Sequence, residues 1–188
     1  MAYRHYETRG LVLGWRNFGE ANRFYQILTP DFGLVRVAAQ GVRQEKSKFR
    51  YQLNGFLIEL VLIRGREYWR LVGAKTIGAT ANRAQINFNR RMGLVLSRLL
   101  QGEEAGHRIF DDLCLAWDWL GPGRGSLAVA EIFCLVRLLS ELGYLAASDR
   151  TALILATPDF NRALVDKIEA DRSNLISIIN DSLAASGL

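Results

Sequence analysis

The hydrophobic pattern of this 188-residue chain changes part of the way along it, and that change constrains the fold more than any other feature. In the first 74 residues, apolar side chains come in short runs of strand character that are bounded by turn residues. Beyond about residue 90 they recur at helical spacing instead. The five strand-like runs fall at residues 11–16, 24–28, 34–37, 56–63 and 68–72.

Turn residues group these runs into hairpins. The second and third runs are separated by five residues, with Pro30 near the start and Gly33 at the end, and Gly65 lies between the fourth and fifth. Short strands with turn signals indicate a sandwich or barrel, and five strands is the number in an OB-fold, a barrel that commonly binds oligonucleotides. The sequence therefore predicts an α+β protein, with a five-stranded OB-fold barrel at residues 1–80 and an all-α helical domain at 81–188.

Capping residues predict where several helices begin and end. Residues 75–89 have weak signals and are interpreted as a polar connection. Ser126 is suited to an N-cap, and Gly143 to a left-handed C-terminal cap. Thr157 followed by Pro158 predicts another helix start.

Charge is distributed unevenly along the chain. The formal net charge of +5 combines a net +11 up to Arg98 with a net −6 beyond it. A basic half suggests a polyanion as partner, although charge alone is equally compatible with a solvated basic face.

The densest basic window lies at residues 36–50, mostly on the longest predicted connection of the barrel, residues 40–54. Phosphates need cations, and single-stranded bases need aromatic faces on which to stack. Phe49 and Tyr51 are interleaved there, although both could instead belong to the core. Arg23 and Arg43 have an alternative structural role, since either could pair with Glu20 or cap the barrel. The candidate phosphate-binding residues are Arg16, Arg23, Arg36, Arg43, Lys46, Lys48 and Arg50.

Motifs for catalysis, metal binding or cofactor binding are missing from the sequence. Cys114 and Cys134 lie in apolar helical stripes without ligand spacing, which predicts two small buried side chains, no metal and no disulfide. His5 and His107 are predicted to be surface residues. The glycine-rich stretch 121–125 follows a helix and fits an interhelical loop rather than a dinucleotide fingerprint. The sequence therefore predicts a non-enzymatic protein without a cofactor.

Asp111 and Asp112 are adjacent, so their carboxylates point in different directions and are interpreted as a solvated helix face rather than an acid–base pair.

A cytoplasmic location is predicted, because two isolated cysteines fit a reducing cytosol. No apolar stretch approaches the ~18–20 residues that span a bilayer. Charged residues such as Arg4 and Glu7 replace the apolar core of a signal peptide.

Several segments resemble the bacterial recombination mediator family RecO. The resemblance is dense over about residues 8–75, is sparse but collinear to about 146, and is lost afterwards. In the helical half it rests on residues 138–144, which end in Leu142, Gly143 and Tyr144. In the predicted barrel it rests on residues 10–13, 19–23, 28–33 and 39–43, together with Ser47 and Leu53.

This resemblance implies a DNA repair and homologous recombination function. RecO proteins bind single- and double-stranded DNA, anneal complementary strands and assist RecA loading with RecR. They contact the acidic C-terminal tail of single-strand-binding protein and have no cofactor-driven active site. Here Gln40 stands where a basic residue is usual, and residues 145–157 lack the cysteines of a zinc element. A short family member without zinc is therefore expected, with its partner contacts in the helical half least secure.

Two alternatives remain open from the sequence. The barrel could belong to an RNA-binding or ribosome-associated module, because cations and aromatic side chains serve RNA equally well. The protein could instead be an interaction scaffold, in which the helical half docks a partner and the charge of the barrel is incidental.

Overall fold

The computed structural model describes residues 4–54, 56–78, 81–100, 102–103, 107–121 and 125–187. Five strands occupy the N-terminal part and helices follow, which confirms the predicted fold class. The strands are β1 (His5–Phe18), β2 (Asn22–Thr29), β3 (Gly33–Ala39), β4 (Leu57–Arg64) and β5 (Trp69–Ile77). The helices are α1 (Arg83–Leu99), α2 (His107–Trp119), α3 (Leu127–Glu141), α4 (Ala152–Ala156), α5 (Arg162–Ala170) and α6 (Arg172–Ala185).

The strands close into a barrel in the order β1-β2-β3-β5-β4, with β4 returning to β1. Among these five strands, β3 and β5 pair in parallel, and the other neighbouring strands pair antiparallel. A 3₁₀-helix at Gln52–Asn54 lies in the connection between β3 and β4. The barrel core is built from side chains that include Tyr25, Ile27, Val37, Leu60 and Trp69.

A β-bulge in β1 breaks the alternation predicted for this strand. Val12 pairs with Ile27, whereas the next paired residue is Gly14, so Leu13 is the extra residue. Leu11, Val12 and Leu13 are consequently all buried. The bulge resets which face each later residue of β1 occupies, and it therefore decides where Trp15 and Arg16 point.

The chain divides into two compact units. The barrel unit comprises residues 1–81 and 89–110, and the helical unit comprises 82–88 and 111–188. The sequence-based domain limits, 1–80 and 81–188, stay a prediction.

The predicted polar connection at residues 75–89 is wrong in detail, because β5 continues to Ile77 and α1 begins at Arg83. A reciprocal capping arrangement starts this helix. The backbone N–H of Gln85 donates to Asn82 Oδ1 at 2.9 Å, and the N–H of Asn82 donates to Gln85 Oε1 at 3.0 Å. Two donors at the helix start are thereby satisfied, as in a capping box.

The helix start predicted at Thr157 is also wrong. Thr157 is the C-cap of α4, and its hydroxyl donates to the Leu153 carbonyl at 2.7 Å. The next helix begins at Arg162, where the Asn161 side chain accepts from the Leu164 N–H. The left-handed cap predicted at Gly143 is confirmed by its φ of 79°. Ser126 occupies the N-cap position of α3 without a capping hydrogen bond from its side chain.

Asp112 is not on a solvated face, contrary to the sequence-based interpretation. Its carboxylate accepts from Arg137 Nε at 2.8 Å, and both side chains are nearly buried. The neighbouring Asp111 is exposed, as predicted for that residue. Asp112 can be buried next to the exposed Asp111 because α3 supplies Arg137 as its partner.

Gly93 lets α1 lie directly against the backbone of β1 within the barrel unit. A Cβ atom at this position would come within 2.4 Å of the Leu13 carbonyl oxygen, which real Cβ contacts do not allow. One turn earlier, Asn89 Nδ2 donates to the Val12 carbonyl at 2.8 Å. The close approach therefore holds over successive turns of the helix.

Replacing Gly93 with alanine is expected to lower the free energy of unfolding by roughly 1–2 kcal/mol, because the steric cost exceeds the gain in helix propensity. Urea denaturation followed by circular dichroism measures this change. Leu94→Ala on the same helix is the control, since Leu94 is 61% exposed and its loss should cost under about 0.5 kcal/mol. An unchanged or higher midpoint for Gly93→Ala would contradict the close approach.

Candidate nucleic-acid interface

The seven predicted phosphate-binding residues lie on three strands and one connection of the barrel. Arg16, Arg23 and Arg36 are on β1, β2 and β3, and the others follow β3 in the connection to β4. Six of the seven are exposed, and only Arg23 is half-buried. The connection carries Arg43, Lys46, Lys48 and Arg50.

Arg16 and Arg36 are brought together over one aromatic ring. Arg16 on β1 pairs directly with Phe24 on β2, so their side chains share a face of the sheet. The guanidinium carbons of Arg36 and Arg16 lie 4.0 and 5.6 Å from the centroid of the Phe24 ring. Cation–π attraction of this kind orients guanidinium groups while leaving their N–H donors available. Two exposed cations are thereby held in fixed positions across three strands.

These side chains line a groove of about 340 Å³. Its other lining residues include Trp15 and Gln26, and Gln26 pairs with Arg36 across β2 and β3. The groove therefore combines two cations, an amide and aromatic surface, which is the chemistry that a phosphate next to a base requires.

The end of the β1–β2 hairpin carries two aromatic side chains that sequence reasoning did not select. Trp15 is 54% exposed and Phe18 is 52% exposed. Phe18 contacts Phe24 with ring centroids 4.8 Å apart. Arg23 lies over the Trp15 ring, with its guanidinium carbon 3.9 Å from the centroid, and its Nε donates to Asn17 Oδ1 at 3.2 Å.

Arg43 ties the connection to the β1–β2 turn. Its backbone N–H donates to the Ala21 carbonyl at 2.9 Å, and its Nη1 donates to the Gly19 carbonyl at 3.2 Å. The Gly41 N–H adds a bond to Asn22 Oδ1 at 2.8 Å. The structural role that the sequence left open for Arg43 is therefore present, while the other donors of its exposed guanidinium can still meet a phosphate.

The rest of the connection is wound into turns above the barrel core. Val42 and Leu53 anchor it and are almost fully buried. Phe49 is half-buried against the core, whereas Tyr51 is 72% exposed. Lys48 Nζ lies over the Phe49 ring, 5.1 Å from the ring centroid. Lys46, Lys48 and Arg50 are exposed, but none of them lines the groove that Arg16 and Arg36 share.

The exposed aromatic residues were missed for a physical reason. Trp15 follows Leu11 and Leu13 in apparent alternation, which suggests a shared buried face. The bulge at Leu13 removes that alternation, and the adjacent Gly14, which is unfavourable in a regular strand, was the available signal.

The cysteine and histidine side chains differ in how far they are buried. Cys134 is buried, and burial raises the pKa of its thiol, whereas Cys114 is half-buried rather than buried as predicted. Both histidines are exposed. Within residues 4–54 and the other described ranges, no three His, Cys, Asp or Glu side chains cluster as metal ligands. In the same ranges, no helix has the length and apolar character needed to span a membrane.

Comparison with known proteins gives a consistent match. Residues 1–79 match the family described as Recombination protein O N terminal. The chain is 36% identical over 97 residues to the DNA repair protein RecO of Trichodesmium erythraeum, covering 51% of this chain and 34% of that protein. It is 30% identical over 152 residues to the DNA repair protein RecO of Rubrobacter xylanophilus, and this match covers 78% of this chain and 61% of that protein. The chain thus spans about a third to three fifths of the length of these relatives.

Proposed function

Because this chain belongs to the RecO family through its N-terminal barrel, we propose that it binds single- and double-stranded DNA, anneals complementary strands and assists RecA loading with RecR. The groove beside Phe24 is the observation that supports this function most directly. It holds Arg16 and Arg36 on one face of an OB-fold barrel, where oligonucleotides commonly bind.

Electrostatics provides the proposed mechanism of annealing. Each phosphate neutralised by a lysine or arginine releases condensed counterions, which favours binding without any base specificity. Two strands held on one cationic surface repel each other less than they do in solution, so base pairing can begin. No bond is made or broken in this scheme, and the protein acts as a mediator rather than an enzyme.

The seven basic residues predicted from the sequence form the proposed interface, in two parts. Arg16 and Arg36 contribute from the groove, and the connection contributes Arg43, Lys46, Lys48 and Arg50. Arg23 acts at the edge, where it lies on Trp15.

The proposed partners beyond DNA follow from the family alone. They are RecR and the acidic C-terminal tail of single-strand-binding protein, and the proposed location is the cytoplasm. Pull-down of purified RecR in the presence of nuclease tests the first of these, because nuclease removes any bridging DNA.

Fluorescence anisotropy with labelled oligonucleotides over a salt series tests the DNA-binding function. We expect affinity for single-stranded DNA to fall steeply with salt, with a slope of about −0.7 for each phosphate contacted. An affinity that does not change with salt concentration, or the absence of binding at low salt, would contradict the proposal. An RNA oligomer of the same sequence is the comparison, and much tighter binding of RNA would favour an RNA-binding module instead.

A further inference from the structure

We propose that Trp15 is a stacking platform for an unpaired base of single-stranded DNA, and that Arg23 is the residue that positions it. This inference rests on the proposed DNA binding but assigns a separate role within it. The basic side chains act on phosphates, with Arg23 also positioning the indole, whereas Trp15 would act on the base and so distinguish single strands from duplex.

The exposure of Trp15 is the first observation. The Arg23 guanidinium lies over the indole at 3.9 Å, yet 54% of the Trp15 residue surface remains exposed. The indole therefore keeps open area that a second flat ring can cover. Elsewhere in the described chain, Trp69 is almost fully buried and Trp119 is already stacked on Phe160, with ring centroids 4.4 Å apart.

The fixed position of Arg23 is the second observation. Its Nε donates to Asn17 Oδ1 at 3.2 Å, and Arg23 and Asn17 pair directly across β1 and β2. Because the guanidinium is held at both the ring and the amide, it restricts the motion of an otherwise exposed indole. A platform that is already ordered loses less conformational entropy when a base stacks on it.

Neighbouring charge identifies the occupant. Trp15 also lines the groove that contains Arg16 and Arg36, so a ring on the indole would have cations nearby for its phosphate. An apolar protein segment would gain nothing from those cations. In duplex DNA the base faces are covered by their neighbours, so only an unpaired base can use the platform.

Stacking and phosphate binding differ in their salt dependence, which makes the platform separable from the cations. Base–aromatic stacking is sequence-tolerant, and removing one such contact is expected to weaken binding by about 5- to 150-fold. Since no counterion is released by stacking, Trp15→Ala should leave the salt slope unchanged. Affinity for duplex DNA should change little in the same variant.

Intrinsic tryptophan fluorescence during titration with an oligo-dT strand tests the platform. We expect single-stranded DNA to quench the wild-type protein and the Trp119→Phe control, and to quench the Trp15→Phe variant far less. Arg23→Gln should reduce the quench amplitude, because the indole is no longer held, with circular dichroism confirming that each variant is folded. Equal quenching in Trp15→Phe and wild type would overturn the assignment of Trp15, and unchanged quenching in Arg23→Gln would overturn the positioning role.

Binding measurements on the Trp15→Ala variant separate the stacking role of Trp15 from the proposed DNA binding itself. If DNA binds with a steep salt slope but Trp15→Ala and wild type have equal affinity for single strands, only the platform is wrong. If neither protein binds DNA, the proposed DNA-binding function is wrong, and the stacking role of Trp15 is then wrong as well.

Discussion

Replacing Asp112 with alanine is expected to lower the free energy of unfolding of the helical unit by about 3–5 kcal/mol, because it leaves the Arg137 guanidinium buried without its counterion. Arg137 is only 8% exposed, so the guanidinium has little access to water in place of the lost carboxylate. Removal of one partner of a buried pair costs far more than the pair contributes, since the remaining charge keeps its desolvation penalty.

The other contacts of Arg137 explain why its position matters. Its Nη1 donates to the Ile154 carbonyl at 3.2 Å and to the Thr157 carbonyl at 2.9 Å. These bonds join α3 to the end of α4, while Asp112 anchors the same guanidinium from α2. Loss of the carboxylate is therefore expected to loosen three helices together.

Urea denaturation monitored by circular dichroism measures this effect, with Asp111→Ala as the matched control. Asp111 is exposed and adjacent in sequence, so its replacement removes the same charge from the same helix and should cost under about 0.5 kcal/mol. A double variant, Asp112→Leu with Arg137→Met, should recover much of the lost stability, because it removes both buried charges. Similar midpoints for the two single variants would show that the Asp112 pair is not energetically important.

The same ion pair illustrates what a single sequence can and cannot predict about this fold. The barrel could be predicted because its signals are local, such as Pro30 and Gly33 at a hairpin turn. The burial of Asp112 could not, because its partner Arg137 lies 25 residues away and is brought close only by helix packing. Asn82 and Gln85 form an intermediate case, since their spacing is a local helix-start signal that the sequence-based interpretation overlooked.

The candidate site, like the fold, could be predicted from the sequence only in part. Basic residues on the connection could be found from charge density alone. The groove could not, because it depends on β1, β2 and β3 pairing in a register that sets Arg16 opposite Phe24 and Gln26 opposite Arg36. A one-residue bulge at Leu13 decides that register, and bulges have only weak sequence signatures.

Replacing Arg16 and Arg36 together with glutamine is expected to reduce the salt slope for single-stranded DNA by about 1.4, since two phosphate contacts are lost at ~0.7 each. Between 50 and 200 mM salt, the affinity of the variant would then fall about seven-fold less than that of the wild type. Anisotropy titrations at several salt concentrations measure both quantities. Glutamine keeps much of the side-chain length, so the change tests charge rather than packing.

The control for this experiment must remove the same charge elsewhere. Arg162 and Arg172 are both exposed in the helical unit, and Arg162 makes a loose ion pair with Asp166, with 3.7 Å between its Nε and Asp166 Oδ2. Arg162→Gln with Arg172→Gln therefore lowers the net charge equally without touching the barrel. If the two double variants have the same slope, the groove is not a phosphate site and the effect is one of overall charge.

The connection is tested in the same titration by changing Arg43, Lys46 and Lys48 together to alanine, which is expected to lower the slope by about 2. Arg43 also holds the β1–β2 turn through the Gly19 carbonyl, so part of its effect on affinity can come from that turn. The salt slope separates these roles, because a displaced turn weakens binding at every salt concentration, whereas a lost phosphate contact changes the slope. Unchanged affinity and unchanged slope in the triple variant would exclude Arg43, Lys46 and Lys48 as phosphate contacts and contradict their assignment to the interface.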